Sequence, residues 1–309
     1  MTKNRQKDHS FHILCGFLCC ASALLGGCSV IASKTKVLGS TDVSFALGII
    51  KADETSAFPG KSISTLYPKD CRLEAAVHRG NMEVGQGNSL QGIDAALQAG
   101  ASLVEIDLRM NRSGTIFLFH DGHLRQKNFA GDARWYGKRP EDLGVIAPDG
   151  LCYPQTKICA PAFEEALQTI KPYSAAYLLD IKGVSEEMLA KVVDQVRKES
   201  QQGQTIIQCQ SLKMLRFVRG TYPEFSTLAR LFLAAELDQA LELSPTIVQA
   251  DAEWLERGLV ERIHQGGARL LVKTVDSGAD NEQGWRALSE KGVDIVLTDN
   301  LRKLLTARP

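Results

Sequence analysis

The chain has 309 residues, 44% of them hydrophobic, which suits one large α/β core plus an appended segment. Its 36 basic and 36 acidic residues cancel. That balance argues against a nucleic-acid partner, which would call for a basic surplus, and makes any positive field a local feature.

In chain order, Lys3, Arg5 and Lys7 precede an apolar stretch from Ile13 to Leu25. Such a stretch has the length of a signal-peptide apolar region and is short for a membrane span. It ends in Leu25-Gly26-Gly27-Cys28, which resembles a bacterial lipobox. Residues 1–27 are therefore expected to be a lipoprotein signal peptide, with Cys28 as the site of lipid attachment and of membrane anchoring. Ser29 stands where an aspartate would retain the protein at the inner membrane. By resemblance to sorting rules, this favours an outer-membrane lipoprotein facing the periplasm or the cell exterior. Loss of residues 1–27 removes Lys3, Arg5, Lys7 and Asp8 and leaves 33 basic against 35 acidic residues, a formal charge of −2. Residues 28–70, rich in Ser, Thr, Lys and Gly, read as a tether, and residues 71–309 as the folded domain. An exported setting permits disulfides among Cys71, Cys152, Cys159 and Cys209. Cys152 and Cys159 flank a segment short enough to close, with pairing and separation equally open. Cys71 and Cys209 can pair or stay buried as small hydrophobes.

Four apolar runs then read as strands: Ala75 to Val77, Ala101 to Val104, Ile116 to Phe119, and Ala175 to Leu179. Each ends in a polar motif: His78-Arg79-Gly80, Glu105-Ile106-Asp107, His120-Asp121 and Asp180-Ile181-Lys182. Helix-length stretches separate successive strands, most clearly Leu90 to Ala99, and that alternation predicts parallel strands with their carboxyl ends on one face. Side chains alternate along a strand, so Glu105 and Asp107 share a face, as do Asp180 and Lys182. Inward charge at strand ends is costly without a ligand. Three carboxylates suit a hard cation, Mg²⁺ or Ca²⁺, better than zinc. The cations and imidazoles beside them point to an anionic substrate.

Taken in order, HRG (78–80), GNS (87–89), EID (105–107), HD (120–121), APAFEEAL (160–167), DIK (180–182) and TD (298–299) resemble the glycerophosphodiester phosphodiesterases over roughly residues 74–305. The resemblance implies a (β/α)₈ TIM barrel with an insertion after strand 3, about residues 121–160. It also implies hydrolysis of a phosphodiester to glycerol 3-phosphate and an alcohol. By position, Glu105, Asp107 and Asp180 would be metal ligands for Ca²⁺ or Mg²⁺. His78 and His120 would be the acid–base pair, with Arg79 and Lys182 near the phosphate. Three positions depart from the pattern. Gly87 stands for the glutamate of the ENT-like motif, Asp180 for a glutamate one bond longer, and Lys273 for a tryptophan of the penultimate strand. Glu83, in the loop after HRG, is a candidate to supply the missing charge.

The insertion carries Trp135, Tyr136 and Tyr153, which pack the loop or meet the substrate. Beyond it, Glu186 to Lys198 reads as an amphipathic helix capped by Ser185. Five further strand-like runs follow: Thr205 to Ile207, Leu228 to Phe232, Thr246 to Val248, Leu270 to Val272 and Ile295 to Leu297. That makes nine candidates for eight barrel strands, with the accessory one expected between residues 228 and 248. Asp299 is expected to cap the last helix, and Asn88 and Ser89 the helix from Leu90. Gln208, Gln210, Lys273 and Asp276 sit where a pocket wall would be.

Three readings follow: a phosphodiesterase acting on small glycerophosphodiesters, a phospholipase acting on intact or lyso-phospholipid, and a degenerate barrel kept as a binding lipoprotein.

Overall fold

Strands buried on both faces account for the near-continuous apolar runs. The computed structural model describes residues 73–123, 125–127, 133–135, 139–143, 145–147, 150–152 and 159–307. The signal-peptide, lipidation and tether segments, Cys71, and the side chains of Trp135, Tyr136 and Tyr153 lie outside the described residues.

Eight parallel strands close into a barrel: β1 (Glu74–His78), β2 (Leu103–Met110), β9 (Ala176–Ile181), β10 (Thr205–Cys209), β11 (Ser226–Arg230), β12 (Ile247–Gln249), β13 (Arg269–Lys273) and β14 (Ile295–Thr298). β1 pairs with both β14 and β2, which closes the ring. Alternation divides the side chains. Ala76, Leu103, Leu178, Ile206, Leu228, Ile247, Leu271 and Ile295 fill the interior, all fully buried. Their neighbours Val77, Val104, Tyr177, Ile207, Val248 and Val272 face the helices. Each such large side chain contributes about 1.5–3 kcal/mol on burial. At the amino end the barrel is plugged by Glu74 and Arg269, 3.5 Å apart. Burial holds the Glu74 carboxyl above its usual range, partly offset by Arg269.

Around the ring stand α1 (Leu90–Gln98), α2 (Phe163–Ile170), α3 (Glu186–Lys198), α4 (Leu212–Thr221), α5 (Leu237–Leu241), α6 (Leu259–Gln265), α7 (Glu282–Glu290) and α8 (Leu301–Ala307). The helix expected from Leu90 and that over 186–198 are both present. Ser89, Ser185 and Ser211 each accept a backbone N–H as N-caps of α1, α3 and α4, worth about 1 kcal/mol apiece.

The accessory strand is not between 228 and 248. It is β3 (Ile116–Leu118), which runs antiparallel to β2, with Leu108 opposite Leu118 and Met110 opposite Ile116. The reason is local. Only residues 111–115 join the two strands, whereas a parallel crossover takes a dozen residues or more. The Asn111 carboxamide ties the turn, accepting from the N–H groups of Ser113 and Thr115, and Gly114 supplies φ +85°. β9 holds one edge of β2 as far as Leu108. β3 therefore takes the other edge, which β1 leaves free beyond His78.

After β3 come two small antiparallel sheets, β4 (Arg125–Lys127) with β5 (Ala133–Trp135), and β6 (Val145–Ala147), β7 (Gly150–Cys152) and β8 (Cys159–Ala160). Cys152 and Cys159 face each other in the register, and Cys159 is disulfide-bonded. Cys209 is free and buried, and burial pushes its thiol up to about 12.

Candidate active site

The apolar interior ends one residue layer below the rim, and the next inward positions are polar. His78 ends β1 and stands in register with Glu105, and Asp107 stands in register with Asp180 on β9. Glu105, Asp107 and Asp180 are buried, and each offers an oxygen within 4.8 Å of the others.

Two cations answer this charge. Arg79 Nε lies 3.0 Å from Asp107 Oδ2, and Lys182 Nζ lies 3.0 Å from Asp107 Oδ1 and donates to Asp180 Oδ2. Asp107 also exchanges two hydrogen bonds with Asn88, giving its N–H to Oδ1 at 3.0 Å and taking Nδ2–H at 2.8 Å. Burial would raise the Asp107 carboxyl, but Lys182, Asn88, Arg79 and His120 together hold it below the usual range. Glu105 is different. Burial and the charges of Asp107 and Asp180 push it well above the ordinary carboxyl range, with Lys182 and Arg79 offsetting only part. The same acids raise Lys182 against its own burial.

Backbone geometry at HRG builds this arrangement. Arg79 sits at φ +57°, a left-handed conformation uncommon for a long side chain, and Asn88 at φ +62°, which asparagine tolerates. The turn aims the Arg79 N–H at Glu105 Oε2, 3.0 Å away, and the Arg79 carbonyl at the Asn88 N–H, 2.8 Å away. Gly80 is required there: at φ +83° a Cβ would meet the Gly92 and Ile93 backbone of α1 at 2.8 Å. Gly87 lies against Arg79, where a Cβ would stand 3.4 Å from the Arg79 stem.

The two imidazoles arrive from opposite directions. His78 rises on β1, buried, and its Nδ1 meets Asp299 Oδ1 at 2.8 Å. His120 descends from β3, with the Phe119 N–H bonded to the Asp107 carbonyl and the His120 carbonyl held by Arg109 at 2.8 Å. Its Nδ1 meets Asp121 Oδ1 at 2.9 Å. A carboxylate at Nδ1 favours the proton there and leaves Nε2 as the working nitrogen of each ring.

Residues 78–128 match the model of the Glycerophosphoryl diester phosphodiesterase family. The chain folds as a TIM barrel, and the family's match lies on the stretch that carries His78, Glu105, Asp107 and His120. Solved structures with this fold include a glycerophosphodiester phosphodiesterase from Agrobacterium tumefaciens str. C58 (20% identity, 76% of this chain and 99% of that one, TM-score 0.60). Another, from Parabacteroides distasonis, is 18% identical over 81% of this chain and 92% of its own, with TM-score 0.63. A phosphodiesterase from Oleispira antarctica, solved in complex with the product sn-glycerol-3-phosphate, is 20% identical over 80% of this chain and 99% of its own, with TM-score 0.61. No curated protein matches this sequence.

All seven residues expected at the barrel site lie at this one mouth. Arg79 and Lys182 do so by neutralising carboxylates. Four other polar residues support them. Asn88 binds Asp107 and does not cap α1, which Ser89 alone does. Gln210 donates to Asp180 Oδ1 at 2.6 Å. Asp299 is not a helix cap; it holds His78. Asp280 in turn accepts from the Asp299 N–H at 3.0 Å, Asn300 Nδ2 at 2.9 Å and Thr274 Oγ1 at 2.7 Å. Glu83 is exposed, 3.8 Å from Arg302, and takes no part in the acidic cluster.

The carboxylates fit a hard cation. Asp107 Oδ1 is buried beside the Lys182 ammonium at 3.0 Å, with no hydrogen bond among the described residues, and three acids meet two cations. Glu105, Asp107 and Asp180 would hold the ion, and the shorter Asp180 side chain still reaches the other two.

Proposed function

We propose that this protein hydrolyses glycerophosphodiesters to glycerol 3-phosphate and an alcohol, with Ca²⁺ or Mg²⁺ held by Glu105, Asp107 and Asp180. The observation that carries the reading is the convergence of two carboxylate-tethered imidazoles, His78 and His120, on one acidic triad. A bound cation would neutralise the phosphodiester anion and the charge that builds on its oxygens. One imidazole Nε2 takes the proton of the attacking hydroxyl, and the other, protonated, gives its proton to the departing alkoxide. Arg79 and Lys182 offset most of the triad's charge, so that a bound divalent cation would leave the pocket net positive and able to admit an anion.

Hydrolysis of glycerophosphocholine by the full-length chain tests this, with Ca²⁺, Mg²⁺ or EDTA and Glu105→Ala as control. The expected result is metal-dependent glycerol 3-phosphate, lowered on the order of 10³-fold in the variant. Phosphocholine as the product would overturn the assignment. Metal binding without turnover of any phosphodiester would favour a binding protein.

A second reading, action on acyl-bearing phospholipid, is favoured by the surface. Among the described residues the exposed large apolar side chains are Met82, Val84, Val184, Phe232 and Leu233. Every one lies on a loop after β1, β9 or β11, at the catalytic face. A cleft of about 520 Å³, lined by Val184, Leu189, Met214 and Phe217, opens beside Gln210. Faster turnover of lysophospholipid than of its deacylated form would establish this reading.

The segment ending at Cys28 supports an envelope lipoprotein with a signal peptide, a tether over 28–70 and the barrel domain beyond. Cys28→Ala is expected to move the protein from the membrane to the soluble fraction; retention on the membrane would refute lipidation there.

A further inference from the structure

Across the mouth from the acidic triad the wall is basic. In the closed ring, β12 and β13 stand opposite β2 and β9, and β11 stands opposite β1. The last inward positions of those three strands are Arg230, Gln249 and Lys273. Each lies two residues beyond an interior apolar residue, Leu228, Ile247 or Leu271, so strand alternation turns all three toward the mouth. Arg230 and Gln249 are register partners, and Gln249 pairs with Leu271, one inward step below Lys273.

Unlike Arg79 and Lys182, neither Arg230 nor Lys273 has a carboxylate partner among the described residues. The Arg230 guanidinium lies 4.9 Å from the Phe232 ring centroid, and its hydrogen bond to Gln210 Oε1 is long, at 3.5 Å. Glu236, on the same loop, is engaged by the N–H groups of Phe232 and Leu233. Between the two cations Gln249 is only 7% exposed, and its Oε1 accepts from no donor among the described residues. A buried amide oxygen in that state calls for a donor.

We propose that Arg230, Gln249 and Lys273 form a subsite for the alcohol half of the substrate. It selects alcohols that carry a second negative charge, a carboxylate or another phosphate, together with a hydrogen-bond donor for Gln249. The proposal rests on the phosphodiesterase reading, which places the phosphorus at the triad, and it assigns the opposite wall to the alcohol. An aromatic ring at position 273 would favour a cationic head group; an ammonium there reverses that preference.

The test compares glycerophosphoserine with glycerophosphocholine on the full-length chain, following glycerol 3-phosphate. The serine compound, with its carboxylate and its ammonium donor, is expected to have a kcat/KM on the order of tenfold higher. Lys273→Glu should invert the ratio, and Arg230→Met should bring it toward one, each through the KM of the serine substrate. The acylated pair, lysophosphatidylserine and lysophosphatidylcholine, should show the same ratio, since the head group is read whether or not it carries a lipid. A wild-type ratio at or below one, or a ratio unmoved by both substitutions, overturns the subsite. If nothing is hydrolysed, the phosphodiesterase reading fails by itself. Calorimetry with phosphoserine and phosphocholine then decides the subsite: preferential phosphoserine binding, weakened by Lys273→Glu, upholds it, and equal binding refutes it.

Discussion

Asp299→Asn is expected to lower kcat on glycerophosphocholine by about 10³-fold while leaving the melting temperature and metal binding nearly unchanged. The carboxylate accepts the Nδ1–H of His78 at 2.8 Å, which fixes the tautomer and stabilises the imidazolium that forms when Nε2 takes a proton. An asparagine keeps the shape but presents either a neutral oxygen or an N–H that forces the opposite tautomer. In enzymes with a His–Asp pair of this kind the same change costs about 10⁴. Asp299 lies outside the acidic triad, so a loss of metal binding in this variant would refute its assignment to His78. Asp280 positions Asp299 through the backbone N–H. Burial would raise the Asp280 carboxyl, but hydrogen bonds from Thr274, Thr298, Asn300 and the Asp299 N–H hold it below its usual range. A depressed carboxyl contributes stability above its unfolded pKa and loses it as pH falls through the folded one. The His78 support is therefore expected to loosen only in acid, below the ordinary aspartate range.

How far the sequence could be read follows from which contacts are local. The strand-end motifs are local, and seven expected residues do meet at one mouth. Ser185 as a cap and Glu186–Lys198 as a helix depend on neighbours a few positions away, and both were legible. The antiparallel course of β3 is also local: residues 111–115 are too few for a crossover, and Asn111 and Gly114 signal a turn. Reading His120 as another strand end hid the fact that it comes down onto Asp107 from above. Asp299 was illegible for a different reason. Its partner His78 is 221 residues away, and the two meet only because β1 and β14 close the ring. Before a helix, an aspartate reads as a cap, and only closure turns it toward an imidazole. Arg230 and Gln249 likewise gain meaning only from the ring order, which sets them across from the acids. Gly87 is the departure with the plainest local consequence. A longer side chain there would lie against Arg79, and its absence leaves Asp107 as the carboxylate that holds the arginine.

Glu105→Gln should abolish metal-dependent activity, by on the order of 10³-fold, and yet make the metal-free protein more stable at neutral pH. Glu105 is buried beside Asp107 and Asp180, and burial, then those two charges, raise its pKa well above the ordinary value. A carboxyl with a raised folded pKa binds its proton more tightly in the folded state. The folded state is therefore favoured most below the unfolded pKa, and stability falls as pH rises from there through the folded pKa. Metal-free wild type should accordingly melt lower at pH 8 than at pH 5, to the extent that this group sets the difference. The glutamine is isosteric, keeps an oxygen for the Arg79 N–H, carries no charge and removes that part of the slope. A cation reverses the order. Ligand at about 100 times its Kd stabilises the folded state by about 2.7 kcal/mol. Binding also requires Glu105 to be deprotonated, so wild-type affinity should rise with pH. Thermal melts of both proteins at pH 5 and pH 8, with EDTA or Ca²⁺, separate these effects. The wild type should gain from Ca²⁺ mainly at pH 8, and the variant at neither pH. If metal-free Glu105→Gln melted lower than wild type at pH 8, the glutamate would be a paired structural acid, and the triad would not be an ion site held against its own repulsion.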